Sequence, residues 1–122
     1  MSNQKETGLS RSEKPQTLVG EVSLWEVLVP ATWDEYEIPL KYHQIWVEGV
    51  RMISGGLTIL KRAKGQWVSL EGELFIEPMI PVRVFCNNTQ IQQISDLTAL
   101  HYNQQPVMFY KVSDQVIIKH YK

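Results

Sequence analysis

Cysteine is almost missing from this sequence, long apolar runs are missing altogether, and neither sign of charge is in excess. The single cysteine, Cys86, cannot close an intrachain disulfide. With no CxxC pair and no histidine close by in the chain, it offers no zinc or redox motif. It ends the apolar run Val82-Arg83-Val84-Phe85-Cys86 and reads as a small buried hydrophobe. No stretch approaches the roughly 18 consecutive apolar residues that a membrane helix needs. Lys and Arg number 12 against 13 Asp and Glu, a formal net charge of −1. That balance gives no electrostatic case for a nucleic-acid or anionic-membrane protein.

Residues 1–20 contain no aromatic residue and lack the apolar core of a signal peptide. They are expected to form a disordered tail on a cytoplasmic protein. Lys5, Arg11 and Lys14 against Glu6 and Glu13 leave that tail slightly basic. A partner-binding arm is the alternative reading. What remains, residues 21–122, is one domain's worth of chain, and the 43% hydrophobic content is too high for disorder.

The elements alternate. Residues 22–29 (VSLWEVLV) are rich in β-branched and aromatic residues and stop at Pro30, which reads as a strand. Residues 31–40 form an acidic connection. Pro39 suits a first helical turn. Behind it Tyr42, Ile45, Trp46, Gly49, Val50 and Ile53 recur at spacings of three and four, one apolar helix face. Ser54-Gly55-Gly56 stops that helix. Residues 57–60 and 66–70 read as extended, separated by the basic turn Lys61 to Gly65. Leu74-Phe75-Ile76 follows the Glu71-Gly72 turn. Pro78 and Pro81 cannot donate to a ladder, so their stretch is expected at an edge or bent away from the sheet. Val82 to Cys86 is the next strand. Asn87-Asn88-Thr89 offers N-cap chemistry to a second helix, whose apolar face carries Ile91, Ile94, Leu97, Thr98, His101 and Tyr102. After Pro106 come two strands, residues 107–112 and 116–121, with a turn at 113–115.

This order matches the split βαβ pattern. The expected fold is α+β, ferredoxin-like βαββαβ, with an antiparallel sheet, two helices on one face and an extra C-terminal strand. Both strand faces are apolar: Trp25, Val27 and Val29 against Leu24 and Leu28, and Val107 and Phe109 against Met108 and Tyr110. Two helices cover only one face, and a large exposed apolar patch marks an interface. A homodimer is expected, joined sheet to sheet or through the last strand.

Residues 56–86 carry the pattern Gly56-Leu57-Thr58-Ile59-Leu60, Gly65-Gln66-Trp67, Glu77-Pro78 and the strand Val82 to Cys86. A helix follows, and then Asn103 to Val107. Over roughly residues 50–120 this resembles a group of small uncharacterised bacterial proteins classed as a domain of unknown function. The resemblance implies a ferredoxin-like, oligomeric fold and brings no activity with it.

No catalytic signature is present. His101, near the apolar face of the second helix, is the first choice for a general base because histidine titrates near neutrality. His43 is expected off the apolar face of the first helix, and His120 in the last strand. Asp34, Glu35 and Glu37 lack the glycine and spacing of a calcium loop and read as a solvated loop, so no metal and no cofactor is expected. Lys64-Gly65-Gln66-Trp67-Val68 has a partial likeness to an RNA-recognition signature, but Gln66 and Val68 stand where stacking aromatics belong. Four tryptophans are many for this length. Trp25 and Trp46 read as core, whereas Trp33 and Trp67 are candidates for an interface or pocket.

The leading reading is a non-enzymatic homodimeric module that binds a protein or small ligand through Trp25, Tyr110, Trp33, Trp67 and the hairpin of residues 61–73. A rival is a cofactor-free dimeric α+β barrel enzyme acting on a small aromatic or carbonyl substrate, with His101 as base and Trp25 and Tyr110 lining its pocket. A single-stranded RNA binder is the third.

Overall fold

The computed structural model describes residues 21–121; the expected tail, residues 1–20, lies outside them. In chain order the elements are β1 (Val22–Pro30), β2 (Thr32–Trp33), β3 (Tyr36–Glu37), α1 (Leu40–Ser54), β4 (Thr58–Ile59), β5 (Ala63–Val68), β6 (Leu74–Asn87), α2 (Asn88–Tyr102) and β7 (Phe109–Ser113). The main sheet runs β4-β6-β1-β7, with β5 also on β6. Every pairing in it is antiparallel. Since β4 and β5 are two pieces of one edge, this is the ferredoxin-like order that the sequence leads one to expect.

Alternation assigns the faces. Val27 lies opposite Val82, Trp25 opposite Val84 and Ser23 opposite Cys86. These residues share one face with Val29, and their valines and cysteine pack with Trp46 and Val50 of α1 and Ile91, Ile94 and Tyr102 of α2 in a single core. Trp46 donates through Nε1 to the Thr98 hydroxyl at 3.0 Å, and Thr98 in turn donates to the Ile94 carbonyl. This buried polar contact between the helices is therefore satisfied at both ends, as burial requires. Gly49 lets them approach there: a Cβ at this position would stand 2.9 Å from a Leu97 methyl. Ile45, expected on the apolar face, is instead exposed, because the buried stripe narrows to Trp46 and Val50.

The prolines act differently from expectation. β6 is a central strand, and Pro78 and Pro81 lie inside it. Pro81 accepts from Leu60 N, and Pro78 accepts from Ala31 N. Neither can return a hydrogen bond, so each pairing is one-sided. Pro81 falls opposite the break between β4 and β5, and Pro78 falls where β1 ends. The prolines thus stop the neighbours' ladders while their own strand continues.

A second difference concerns the extra C-terminal strand. Val116 to Tyr121 makes no strand pairing with the described residues. A tight hairpin needs positive φ in its turn, and among the described non-glycine residues only Asp34 and Asn103 have it. Asp114 and Gln115 therefore do not fold the chain back along β7.

Helix ends follow the sequence closely. Gly55 caps α1 in the left-handed conformation, φ 90°. Asn87 caps α2 in a full capping box: its side chain accepts from Gln90 N at 2.8 Å, and Gln90 Oε1 accepts from Asn87 N at 2.9 Å. Gln90 also donates to the Ile53 carbonyl, tying the start of α2 to the end of α1. Asn87→Ala is expected to lower the unfolding free energy by about 1 kcal/mol, read from the midpoint of a urea titration; an unchanged midpoint would show that the cap carries no net stability.

Candidate functional site

The two helices run antiparallel, so the first turn of α1 meets the last turn of α2. Each turn carries an aromatic–histidine pair: Tyr42-His43 and His101-Tyr102. Tyr42 and His101 stack at 4.0 Å between ring centroids. The Tyr42 hydroxyl donates to the His101 carbonyl, and His101 Nε2 faces the Tyr42 carbonyl at 2.8 Å. A carbonyl only accepts, so His101 Nε2 carries the proton. Trp33 Nε1 donates to the Tyr102 carbonyl at 3.3 Å. The terminal carbonyls of α2, which a helix leaves without internal partners, are thus taken by side chains from α1 and β2.

Tyr102 is buried, and its hydroxyl lies 2.6 Å from His43 Nδ1. Among the described residues that nitrogen is its acceptor, so the phenol donates and neutral His43 carries its proton on Nε2. Burial, helped by the proximity of His101 and Arg62, holds the His43 pKa below its ordinary value of 6.5. Burial first, then the proximity of Tyr42, raises the Tyr102 phenol far above its usual range.

Two clefts flank this cluster. One, of about 410 Å³, has aliphatic walls from Ile38, Leu40, Ile59, Leu60 and Ile80, with His43, Arg62 and Glu37 as polar lining. On its rim, Arg62 Nη2 donates to both Glu37 oxygens at 2.8 Å. The other cleft, of about 460 Å³, lies between Trp33, Asp34, Phe75, Glu77 and Gln104. Gln104 Oε1 is buried with no hydrogen-bond partner among the described residues.

The face of the sheet away from the helices has a polar centre in an apolar surround. Glu26, Arg83 and Tyr110 come from β1, β6 and β7, and the ladders place them side by side. Arg83 Nε donates to Glu26 Oε1 at 2.8 Å, and the Tyr110 hydroxyl donates to Oε2. Burial alone would raise the Glu26 pKa, but these two hydrogen bonds and the Arg83 charge outweigh it and hold the carboxyl below the ordinary range. The hydrogen bond to Glu26, with burial, raises the Tyr110 phenol. Leu24 and Phe85 form the next pair along the strands, and Leu28 and Pro81 the one on the other side. Met108, Tyr110 and Val112 are exposed.

The residues singled out from sequence do not meet in one place. His101 is held between helix ends. Trp25 lies on the helix side of β1, donates to the Cys86 carbonyl at 3.2 Å and sits under Lys111 Nζ at 5.4 Å. Tyr110 stands on the opposite face, so the pocket drawn from His101, Trp25 and Tyr110 does not form within one chain. Trp67 stacks on Phe75 at 4.6 Å, out on the β5–β6 hairpin. Trp33 borders the larger cleft. Cys86 is buried, and burial pushes its thiol up to about 11, as befits a packing residue. Sequence reasoning missed His43: the helical wheel turned it outward, and its phenol partner lies 59 residues away. The matched Tyr-His and His-Tyr pairs at opposite ends of two helices were the available signal. Among the described residues no group of three or more His, Cys, Asp or Glu is placed to hold a metal ion, and no helix is long and apolar enough to cross a membrane.

No family model matches this sequence, and no curated protein matches it. Solved structures share the fold. Divalent cation tolerance protein from Thermus thermophilus is 6% identical, with 81% of this chain and 87% of that one covered at a TM-score of 0.59. CutA1 from Oryza sativa is 8% identical, with 84% of each chain covered at 0.58. A phage SAM lyase, solved with S-methyl-5′-thioadenosine, is 10% identical, with 84% of this chain and 88% of that one covered at 0.57. The chain is therefore a small α+β domain with the ferredoxin-like fold of CutA1 proteins. A tolerance protein and a lyase on one fold show that the fold does not fix the chemistry.

The depressed His43 pKa sets the sign of a pH effect. Between its folded value and 6.5, the unfolded chain binds a proton that the folded chain does not. Stability therefore falls as pH drops through that window. Unfolding free energy is expected to decline on acidification from about pH 7 to about pH 5, and His43→Gln is expected to flatten that decline; an unchanged slope in the variant would place the neutral imidazole elsewhere.

Proposed function

We propose that this chain is a self-associating binding module whose sheet docks on a second copy of itself. The observation that carries this reading is the face away from the helices. It presents Leu24, Leu28, Phe85, Met108 and Val112 around the Glu26–Arg83–Tyr110 centre. Apolar area of this kind favours association, and a polar centre that is already satisfied can be covered without leaving a charge unpaired.

Strand pairing supports the same reading. The chain's sheet has edges at β7 and at β4–β5, and Val116 to Tyr121 is an apolar segment without a strand partner among the described residues. Adding that segment to a neighbour's edge is β-augmentation between copies. The product is a closed homo-oligomer, of which the dimer is the smallest. Tyr110 falls on the docking face. Trp67, with Phe75, Leu70 and Leu74 on the hairpin, extends the contact. Trp33 and Trp25 are left to line small-ligand clefts.

The likeness of residues 50–120 to small uncharacterised bacterial proteins fits an oligomeric module of bacterial origin. Catalysis by His101 has less support, because its Nε2 is committed to a backbone carbonyl.

Native mass spectrometry is expected to show a discrete multiple of the 14.1 kDa chain. Met108→Glu, on the exposed part of that face, is expected to shift the population toward monomer while far-UV circular dichroism stays unchanged. A monomeric wild-type chain, or a Met108→Glu variant that assembles as before, would overturn the proposal.

A further inference from the structure

The smaller cleft, beside His43, has features that converge on one kind of ligand. Its walls are aliphatic, and two of them, Leu40 and Ile59, are 71% and 56% exposed. Its volume of about 410 Å³ lies within the range of small-molecule sites, about 300–1,000 Å³. Apolar walls of this kind favour an apolar body.

The polar lining is His43, Arg62 and Glu37, and the Glu37 carboxylate is already engaged by Arg62. Tyr102 occupies His43 Nδ1, which leaves the Nε2–H as the imidazole's free donor; among the described residues it has no acceptor. Arg62 engages Glu37 through Nη2, leaving Nε and Nη1 without partners among the described residues. The Arg62–Glu37 pair is exposed, 47% and 69% at its side chains, so it is weakly held and readily shared.

Helix α1 adds a third contribution. It opens at Leu40, a cleft residue, with Pro39 as its N-cap. No side chain caps it, and its first turn holds no acidic residue. The positive end of its dipole therefore lies beside the cleft without a side-chain cap.

We propose that this cleft binds a small aliphatic or aromatic monocarboxylate, its apolar body between Leu40, Ile59 and Ile80 and its carboxylate accepting from His43 Nε2–H and Arg62. This rests on the small-ligand part of the binding-module reading and is independent of self-association. The N–H of an imidazole fixed by a buried phenol and the remaining N–H groups of a guanidinium are the donors a carboxylate accepts from, with Arg62 shared between the ligand and Glu37. A matching amide keeps the apolar body and loses the charge.

The test uses the full chain, ¹⁵N-labelled, titrated with octanoate, phenylacetate and the corresponding amides. The His43 imidazole is followed by long-range ¹H–¹⁵N correlation, and light scattering on the same samples reads the oligomeric state. The expected result is a saturable shift at His43 with at least one acid, about tenfold weaker or more with its amide. Arg62→Gln, at an exposed position that leaves the fold intact, is expected to weaken acid binding by a similar factor. Absence of a saturable shift at millimolar acid, equal binding of acid and amide, or an unaffected Arg62→Gln variant would each overturn the site. Binding by a chain that light scattering finds monomeric would uphold the site while sinking self-association.

Discussion

Strand β6 must satisfy two neighbours along its length with an incomplete set of donors. It gives β1 one edge from Met79 to Asn87 and gives β4 and β5 the other. Its two prolines can accept but not donate, and each neighbour's ladder breaks or ends at a proline. The break opposite Pro81 separates β4 from β5 and leaves Leu60 to Arg62 outside the regular ladder, where Arg62 reaches Glu37. The rim of the carboxylate cleft thus follows from a missing N–H in the next strand. The stop at Pro78 ends β1 and sends the chain into the β2–β3 turn, which delivers Trp33 to the end of α2.

The helix ends are the second organising feature. Every helix leaves terminal carbonyls in need of donors, and α2 ends on the buried Tyr102. Tyr42 and Trp33 supply those donors, and His43 and Tyr102 pair beside them. The same contacts fix two imidazoles in defined tautomers. His101 is turned inward to the backbone, while His43 is left with its N–H free beside an aliphatic cleft. Of two histidines in matching positions, packing has assigned one to structure and left the other available.

The sheet separates two tasks. Its helix side is a filled core in which Trp46, Thr98 and Tyr102 find their polar partners. Its other side keeps an ion pair with a phenol at its centre and apolar residues around it. Proteins as unlike as a cation tolerance protein and a SAM lyase share this fold, so its specificity lies in the loops, the helix ends and that second face.

The sequence by itself determined the order of elements, both helices to within a residue or two, the caps at Gly55 and Asn87, and the apolar character of both sheet faces. Those are local properties: spacing, capping chemistry and alternation act within a few residues. Tertiary structure decided what lies across long separations. It made β6 central despite its prolines, left residues 116–121 without a strand partner among the described residues, exposed Ile45, separated Trp25 from Tyr110, and joined Glu26 to Arg83 and His43 to Tyr102. Strand register and helix crossing bring such partners together, and neither is encoded by residues adjacent in the chain.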